Sequence, residues 1–384
     1  MHMSVLIQLK NIYRKLGLNS ESFYKIKRSE QEKYLNSLGN PTTSIDKSFN
    51  QYKCQAFVMN KYFVYLLNLV SFFVEPFYIE IMKRKNIIDN DNNYDAIFIS
   101  GGISKKTIPI SILDKYKKIK VVNFGYNPSL VKDDIDYLKN KFRDKRYPSY
   151  FRLKIYIKMS MYSTIVRTYN PKAIISYVES SFTSQILTDW LEEKNIKHIN
   201  IMHGEKLYFI ADSFAHFSEF YVWDDYYRRL MIQLKADPEQ FIIQQPSSLT
   251  EKINSDNNSK YYLTYYLSDE NEKSIINVSK SLDSIQKKGN KCKVRIHPRG
   301  NNEHLVKKYM SNFEIENPYN VTLAQSLEST KYICSLNSTV LYEGFLKGKK
   351  VILDDISNNS KFRLLKELGY IMIEKEHLLL SKLI

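Results

Sequence analysis

From Tyr94 to near the C-terminal residue, short apolar runs alternate with longer segments whose apolar positions recur at helical spacing. Runs bounded by polar turns predict strands at Tyr94–Ser100, Lys120–Gly125, Ala173–Tyr177, His198–Met202 and Phe220–Trp223. Between them the spacing predicts mostly helix from Ser129 to Tyr169, then helices over Ser181–Lys194 and Asp225–Lys235. Residues 244–260 are polar, carry Pro246 and have no apolar period, so they are expected to be a linker. Beyond it the alternation resumes. Strands are expected at Tyr261–Leu267, Lys293–Ile296, Lys331–Ser335 and Lys350–Leu353. Helices are expected over Asp269–Lys287, Glu303–Met310, Ser360–Leu368 and the stretch containing Val340, Leu341, Phe345 and Leu346, which Gly348 closes. Strand–helix alternation of this kind predicts parallel, doubly wound sheets with helices on both faces. The organisation expected is a helical N-terminal segment (1–93), a Rossmann-like domain (94–243), the linker and a second Rossmann-like domain (261–384). Two such sheets facing each other would present strand C-termini to a shared cleft, where ligands of doubly wound folds bind.

The densest chemistry lies between Lys291 and Asp355. KCKVRI reads as a strand, and His297-Pro298-Arg299-Gly300 is the turn leaving its C-terminal edge. A following strand, Lys331–Ser335, runs into Leu336-Asn337-Ser338-Thr339, which places Ser338 and Thr339 where a helix starts. Unpaired N–H groups, the positive end of the helix dipole and two hydroxyls favour an anionic phosphate there. His297 would contact the donor phosphate, as a hydrogen-bond donor or as a general acid. Arg299 adds a planar fork suited to phosphate or a sugar carboxylate. Glu343, one turn beyond Thr339, is placed to accept hydrogen bonds from ribose hydroxyls. Singly, a turn and an N-cap explain these residues; together, at the ends of successive strands, they point to a nucleotide.

The pair of motifs resembles the His-Pro and serine motifs of GT-B-fold bacterial transferases that use a cytidine nucleotide. These include sialyltransferases, polysialyltransferases and the polyol-phosphate transferases of teichoic acid synthesis. The resemblance covers the last third of the chain well and the middle third more loosely. It implies a GT-B-like fold and a cytidine-activated donor, with His297, Pro298, Arg299, Ser338, Thr339 and Glu343 on the nucleotide side.

In the first domain, Met202-His203-Gly204-Glu205 follows a predicted strand. A transferase acceptor is a hydroxyl whose proton must leave, and histidine titrates near neutrality. The turn resembles the His-Gly motif of polyol-phosphate transferases, whose histidine acts as base. The polysialyltransferase pattern has an acidic pair before glycine instead, so both His203 and Glu205 stand as candidate bases. Asp212, Asp224 and Asp225 are weaker candidates; Glu179, at a strand end, could orient His203 or bind acceptor hydroxyls, though a carboxylate at a helix N-terminus is sufficient explanation. Gly101-Gly102 ends another strand, as a tight turn or as part of an acceptor-side rim; it lacks the third glycine of a dinucleotide fingerprint. No Asp-x-Asp pair stands at a predicted strand end, so no essential divalent metal is expected, and no cofactor beyond the donor nucleotide itself.

The 57 Lys and Arg against 41 Asp and Glu give a net charge of +16, enough to attract polyanions or anionic lipid. The basic residues are scattered and no nucleic-acid-binding motif accompanies them, so no nucleic acid is expected. A phosphate-bearing or lipid-linked glycan acceptor, or a membrane surface, fits the charge equally. Cys54, Cys292 and Cys334 are far apart and odd in number, which favours a reducing cytosol. No signal peptide is expected at the start. The most apolar stretch, Tyr62 to Ile81, carries Asn68, Glu75, Pro76 and Glu80. It is expected to be a buried helix rather than a membrane span, with a monotopic membrane contact as the alternative.

Overall fold

The computed structural model describes residues 26–83, 93–123, 128–250, 253, 259–268, 270–298 and 303–384. Residues 1–25 and 84–92 of the N-terminal segment, Phe124 and Gly125 at the end of a predicted strand, residues 251, 252 and 254–258 of the predicted linker, and the Arg299-Gly300 pair lie outside the described residues. The chain divides into two compact units: Met1–His203 with Tyr208–Ser247, and Gly204–Leu207 with Ser248–Ile384.

In the first unit three helices precede the sheet: α1 (Arg28–Ser37), α2 (Ser44–Val58) and α3 (Lys61–Lys83). The sheet strands are β1 (Ala96–Ile99), β2 (Ile119–Val122), β3 (Ala173–Ser176), β4 (Lys197–Ile201), β5 (Glu219–Val222) and β6 (Phe241–Ile243). All pair in parallel, in the order β2-β1-β3-β4-β5-β6. Between strands run α4 (Ile110–Lys115), α5 (Lys132–Lys141), α6 (Ser149–Tyr169), α7 (Ser184–Glu192) and α8 (Asp225–Gln233). The long predicted helical region is thus two helices, and Pro148 at the N-cap of α6 marks the break. Strand side chains are sorted by the two-residue period. Ile97, Ile99 and Ile174 join the core under α6 and α7, while Phe98, Ile175 and Ile199 join the opposite core with Ile108 and Ile112.

A helical turn, α9 (Ser247–Thr250), begins at the last residue of the first unit, and the second unit repeats the architecture. Its strands are β7 (Tyr261–Tyr266), β8 (Cys292–Arg295), β9 (Glu314–Glu316), β10 (Thr330–Ser335), β11 (Lys350–Leu353) and β12 (Leu378–Leu379). The intervening helices are α10 (Glu272–Lys287), α11 (Glu303–Tyr309), α12 (Leu323–Glu328), α13 (Thr339–Leu346) and α14 (Asn359–Glu367). The sheet is again wholly parallel, ordered β12-β11-β10-β7-β8-β9. The two α/β sheets expected from the alternation are therefore both present. Leu263, Tyr265, Val294, Cys334 and Ile352 pack one face of the second sheet against α10 residues such as Ile275, Val278 and Leu282.

Two expectations are corrected. The two phosphate motifs do not end successive strands: β9 intervenes in sequence and β7 in the sheet. Nor is the apolar stretch a buried helix. It forms α3, which runs through Pro76 and buries Phe63, Ser71, Glu75 and Met82 while leaving most of its large apolar side chains exposed. All three cysteines are free and buried, and burial pushes the Cys54 and Cys292 thiols up to about 12.

Candidate functional site

Strand order decides where the second unit can hold a ligand. Counted within that unit, its sheet reads 3-2-1-4-5-6, the order of dinucleotide-binding folds. The switch point therefore lies between the C-terminal ends of β7 and β10, at Tyr266 and Ser335. Ser335 Oγ is buried there without a hydrogen-bond partner. Three residues on, Ser338 is the N-cap of α13: its extended backbone (φ −154°, ψ 137°) turns the chain, and its Oγ accepts the N–H of Val340 at 3.3 Å. The N–H of Leu341 goes to the Ser338 carbonyl at 3.0 Å. The Ser338 oxygen thus serves the helix while its O–H remains a donor, and both Ser338 and Thr339 are half-buried at the switch point.

The other members of the nucleotide set take different positions. His297 is half-buried just past β8, and Pro298 is exposed with its carbonyl accepting the Tyr319 hydroxyl at 3.0 Å. β7 lies between β8 and β10, so roughly 9–10 Å of sheet separates the backbone leading to His297 from that leading to Ser338. A whole nucleotide spans that gap; one phosphate group does not. Glu343 is engaged by Lys347, 2.6 Å away on the next turn, with both side chains shielded from solvent. Its carboxylate therefore already has a cationic partner. Gly344 allows α13 to lie close on β10, because a Cβ there would come within 2.2 Å of the Ile333 side chain. Gly348, with φ at +77°, ends the helix as expected, and the N–H of Lys349 returns to the Gly344 carbonyl at 2.8 Å.

The first unit has its own switch point between β1 and β3. The Gly101-Gly102 turn leaves β1 with φ values of +46° and +96°, which only glycine adopts freely. Tyr177, one residue past β3, donates its hydroxyl to the Ser100 carbonyl at 2.6 Å. Its ring lies 5.0 Å from that of His203, which follows β4 and is exposed. The Gly-Gly turn, Tyr177 and His203 therefore share one strand edge. Tyr177 had no chemical signal in the sequence beyond its place at a strand end. Gly204 (φ +74°) has open space where a Cβ would project.

Glu205 differs from His203. Its Oε1 is shut off from solvent and lacks a hydrogen-bond partner, and burial pushes the carboxyl up to about 8. At neutral pH it is mostly protonated, a poor base but a competent hydrogen-bond donor. The weaker acidic candidates are committed to structure. Asp224 caps α8 through Tyr226, Asp225 pairs with Arg228 and Arg229, and Glu179 is buried and accepts from Asn200 at 3.1 Å. Asp212 is buried beside β4's following loop.

What the N-terminal helices do is also visible at this edge. Gln51 and Gln55, one turn apart on α2, donate to the carbonyls of Glu179, Ser180 and Ala211 at 2.8–3.2 Å. Gln185 of α7 donates to Gln51 Oε1 and to the Phe214 carbonyl. These buried amides satisfy carbonyls in the segments that follow β3 and β4 and hold those segments against α2 and α7. The sequence signal was there, two amides spaced for one helix face.

No protein-family model matches the sequence, and no curated protein matches it. Solved structures similar to it include the S. aureus MnaA–UDP co-structure (11% identity, 72% of this chain and 88% of that one, TM-score 0.45). A Neisseria meningitidis UDP-GlcNAc 2-epimerase bound to UDP-GlcNAc is 13% identical over 73% of this chain and 91% of that one, with a TM-score of 0.42. The lipopolysaccharide outer core galactosyltransferase WaaB in its apo form is 11% identical over 68% of this chain and 80% of that one, TM-score 0.39.

Proposed function

We propose that this chain is a GT-B-type glycosyltransferase that takes a sugar from a cytidine-activated donor, CMP-sialic acid or a related acidic sugar nucleotide, in bacterial cell-surface polysaccharide assembly. The observation that carries this is the position of the Ser338-capped helix α13 at the β7/β10 switch point of a 3-2-1-4-5-6 sheet. In that order a strand end followed by a helix N-terminus favours a nucleotide phosphate. The cytidine base rests on the His-Pro and serine motifs, not on the fold. In this mechanism the second unit holds the donor: the α13 N-terminus, the Ser338 and Thr339 hydroxyls, His297 and Arg299 take up phosphate charge without a divalent metal. His203 in the first unit accepts the proton of the acceptor hydroxyl, a glycan or lipid-linked glycan. The acceptor oxygen bonds to the anomeric carbon as the bond to the donor phosphate breaks, which inverts that centre and releases CMP.

A thermal-shift panel tests the donor. CMP and CDP stabilise the protein by ligand linkage, and UDP and GDP do not. Stabilisation by uridine nucleotides alone would replace cytidine with uridine while leaving the switch-point site in place. The open His203-Gly204 turn favours a second reading, transfer of a polyol phosphate from CDP-glycerol or CDP-ribitol. Release of CMP from CDP-glycerol but not from CMP-sialic acid would select it.

A further inference from the structure

Helix α3 leaves one of its long faces uncovered. Tyr62, Tyr65, Phe72, Phe73, Phe77 and Ile81 are each 55–73% exposed. At about 100° per residue the exposed apolar positions sweep roughly 200° of the helix and run along about 30 Å of it. Between Tyr62 and Phe77 the only charged residue is Glu75, which is on the packed side; Lys61, Glu80 and Lys83 sit at the two ends. A patch of this size needs an occupant.

The opposite face shows how the helix is held. Glu75 makes a two-pronged ion pair with Arg152 of α6, at 3.0 and 2.8 Å. Asn68 accepts the Tyr150 N–H at 3.1 Å and donates to the Tyr52 hydroxyl at 3.2 Å, and the Tyr78 hydroxyl meets Ser160 Oγ at 2.7 Å. Among the described residues α3 is the one helix long and apolar enough to cross a bilayer. Crossing would drag the Glu75–Arg152 pair into hydrocarbon or break it. The helix is therefore fixed lengthwise on α6, with its apolar face free to lie on a surface.

We propose that α3 is an interfacial docking helix that seats the protein on an anionic phospholipid bilayer. Charge selects this occupant over a second copy of the chain. Two chains of net charge +16 repel when brought together, whereas an anionic leaflet attracts them. Lys61 and Lys83 mark the ends of the apolar face, and Lys83-Arg84-Lys85 continues the basic run in the sequence. Tyrosine and phenylalanine make up half of its exposed large apolar residues, as suits insertion at headgroup depth. The inference does not depend on the transferase reading.

The test is flotation of the full chain with phosphatidylcholine vesicles, with and without about 30% phosphatidylglycerol. The expected result is flotation with the anionic vesicles, weakened by added salt. The triple variant Phe72→Ser/Phe73→Ser/Phe77→Ser should lower the partition coefficient at least about tenfold, since it removes three large apolar groups from the buried layer. It should melt like the parent, because these side chains are exposed in the protein. Leu66→Glu/Val70→Glu, on the same face, should behave alike and covers the case in which the triple variant folds poorly. Failure of the parent to float, or equal flotation by both variants, overturns the proposal. So does a parent dimer that the variants convert to monomer without any vesicle binding, which would assign the face to a second copy.

Discussion

At the residue level the two candidate bases are separated by environment rather than by spacing. His203 is exposed beside Tyr177, whereas the Glu205 carboxyl is buried and held protonated up to about pH 8. The proposed mechanism therefore assigns proton abstraction to His203 rather than Glu205. His203→Ala should lower kcat by about a hundredfold or more while leaving nucleotide affinity near that of the parent, measured by steady-state rates and calorimetry with CMP. Glu205→Gln keeps the shape and the hydrogen-bonding capacity of the protonated acid, so its activity at pH 7 should stay within about threefold of the parent. A dead Glu205→Gln beside an active His203→Ala would move the base to Glu205. Ser338→Ala loses the cap of α13 and a phosphate donor together, and should weaken CMP binding by about 1–3 kcal/mol. The sequence made His203, His297 and Ser338 visible because each ends a periodic segment. It could not separate His203 from Glu205, because burial is set by residues distant in the chain.

Elements became legible in proportion to their apolar period, and the ones missed are short or polar. β9 is Glu314-Ile315-Glu316, which reads as loop until β8 is set beside it. Lys293 and Arg295, two residues apart on β8, share a face and both bind the Glu316 carboxylate; Lys293 also donates to Ser329 Oγ at 2.9 Å. This buried triad ties the edge strand on, and Glu316→Ala would leave two cations unpaired in the interior. The expected cost is about 3–5 kcal/mol, read from chemical denaturation; a smaller loss would mean that water replaces the carboxylate. α3 misled for the converse reason: an apolar helix suggests burial by default, and only the packing shows which face is left open. A second ionic cluster gives the first unit a pH dependence. His216 would be lowered by burial alone, but its hydrogen bonds to Asp189 and to Asp237, the latter at 2.6 Å, raise it to about 9. A folded value above the ordinary histidine range means stability fully present below about pH 6.5 and lost as the pH rises through 9. The parent should lose at most about 3–4 kcal/mol across that window. His216→Gln should be flat there by the same denaturation series, and a parent that is equally flat would show the histidine to be neutral in the fold.

For the whole molecule, the number of sheets and their parallel character follow from the strand–helix alternation. Strand order does not, because a sequence of crossovers is the same whichever side of the first strand the chain takes. That order is what turns Ser338 from one N-cap among several into the helix start beside a switch point. It also bears on how the proposed donor phosphate would be held. The switch-point edge offers a helix N-terminus, two hydroxyls and His297, with Arg299 two residues on in the sequence; among the described acids, Glu270 accepts the Ser268 N–H and hydroxyl, Glu343 pairs with Lys347, and Asp354 accepts the N–H groups of Ile356 and Ser357. Donors and cations gathered there favour phosphate directly in the proposed mechanism. Release of CMP from CMP-sugars should therefore proceed in EDTA at a rate within about twofold of that in magnesium, when both are followed by chromatography. A rate abolished by EDTA and restored by magnesium or manganese would reject this mechanism and require carboxylates elsewhere to bind the metal. Salt adds an independent check. If donor phosphate is held by fixed cations and dipoles, CMP affinity should weaken steadily with ionic strength, by several-fold between about 0.05 and 0.5 M NaCl. The buried Glu316 triad, shielded from solvent, should leave stability almost unchanged over the same range.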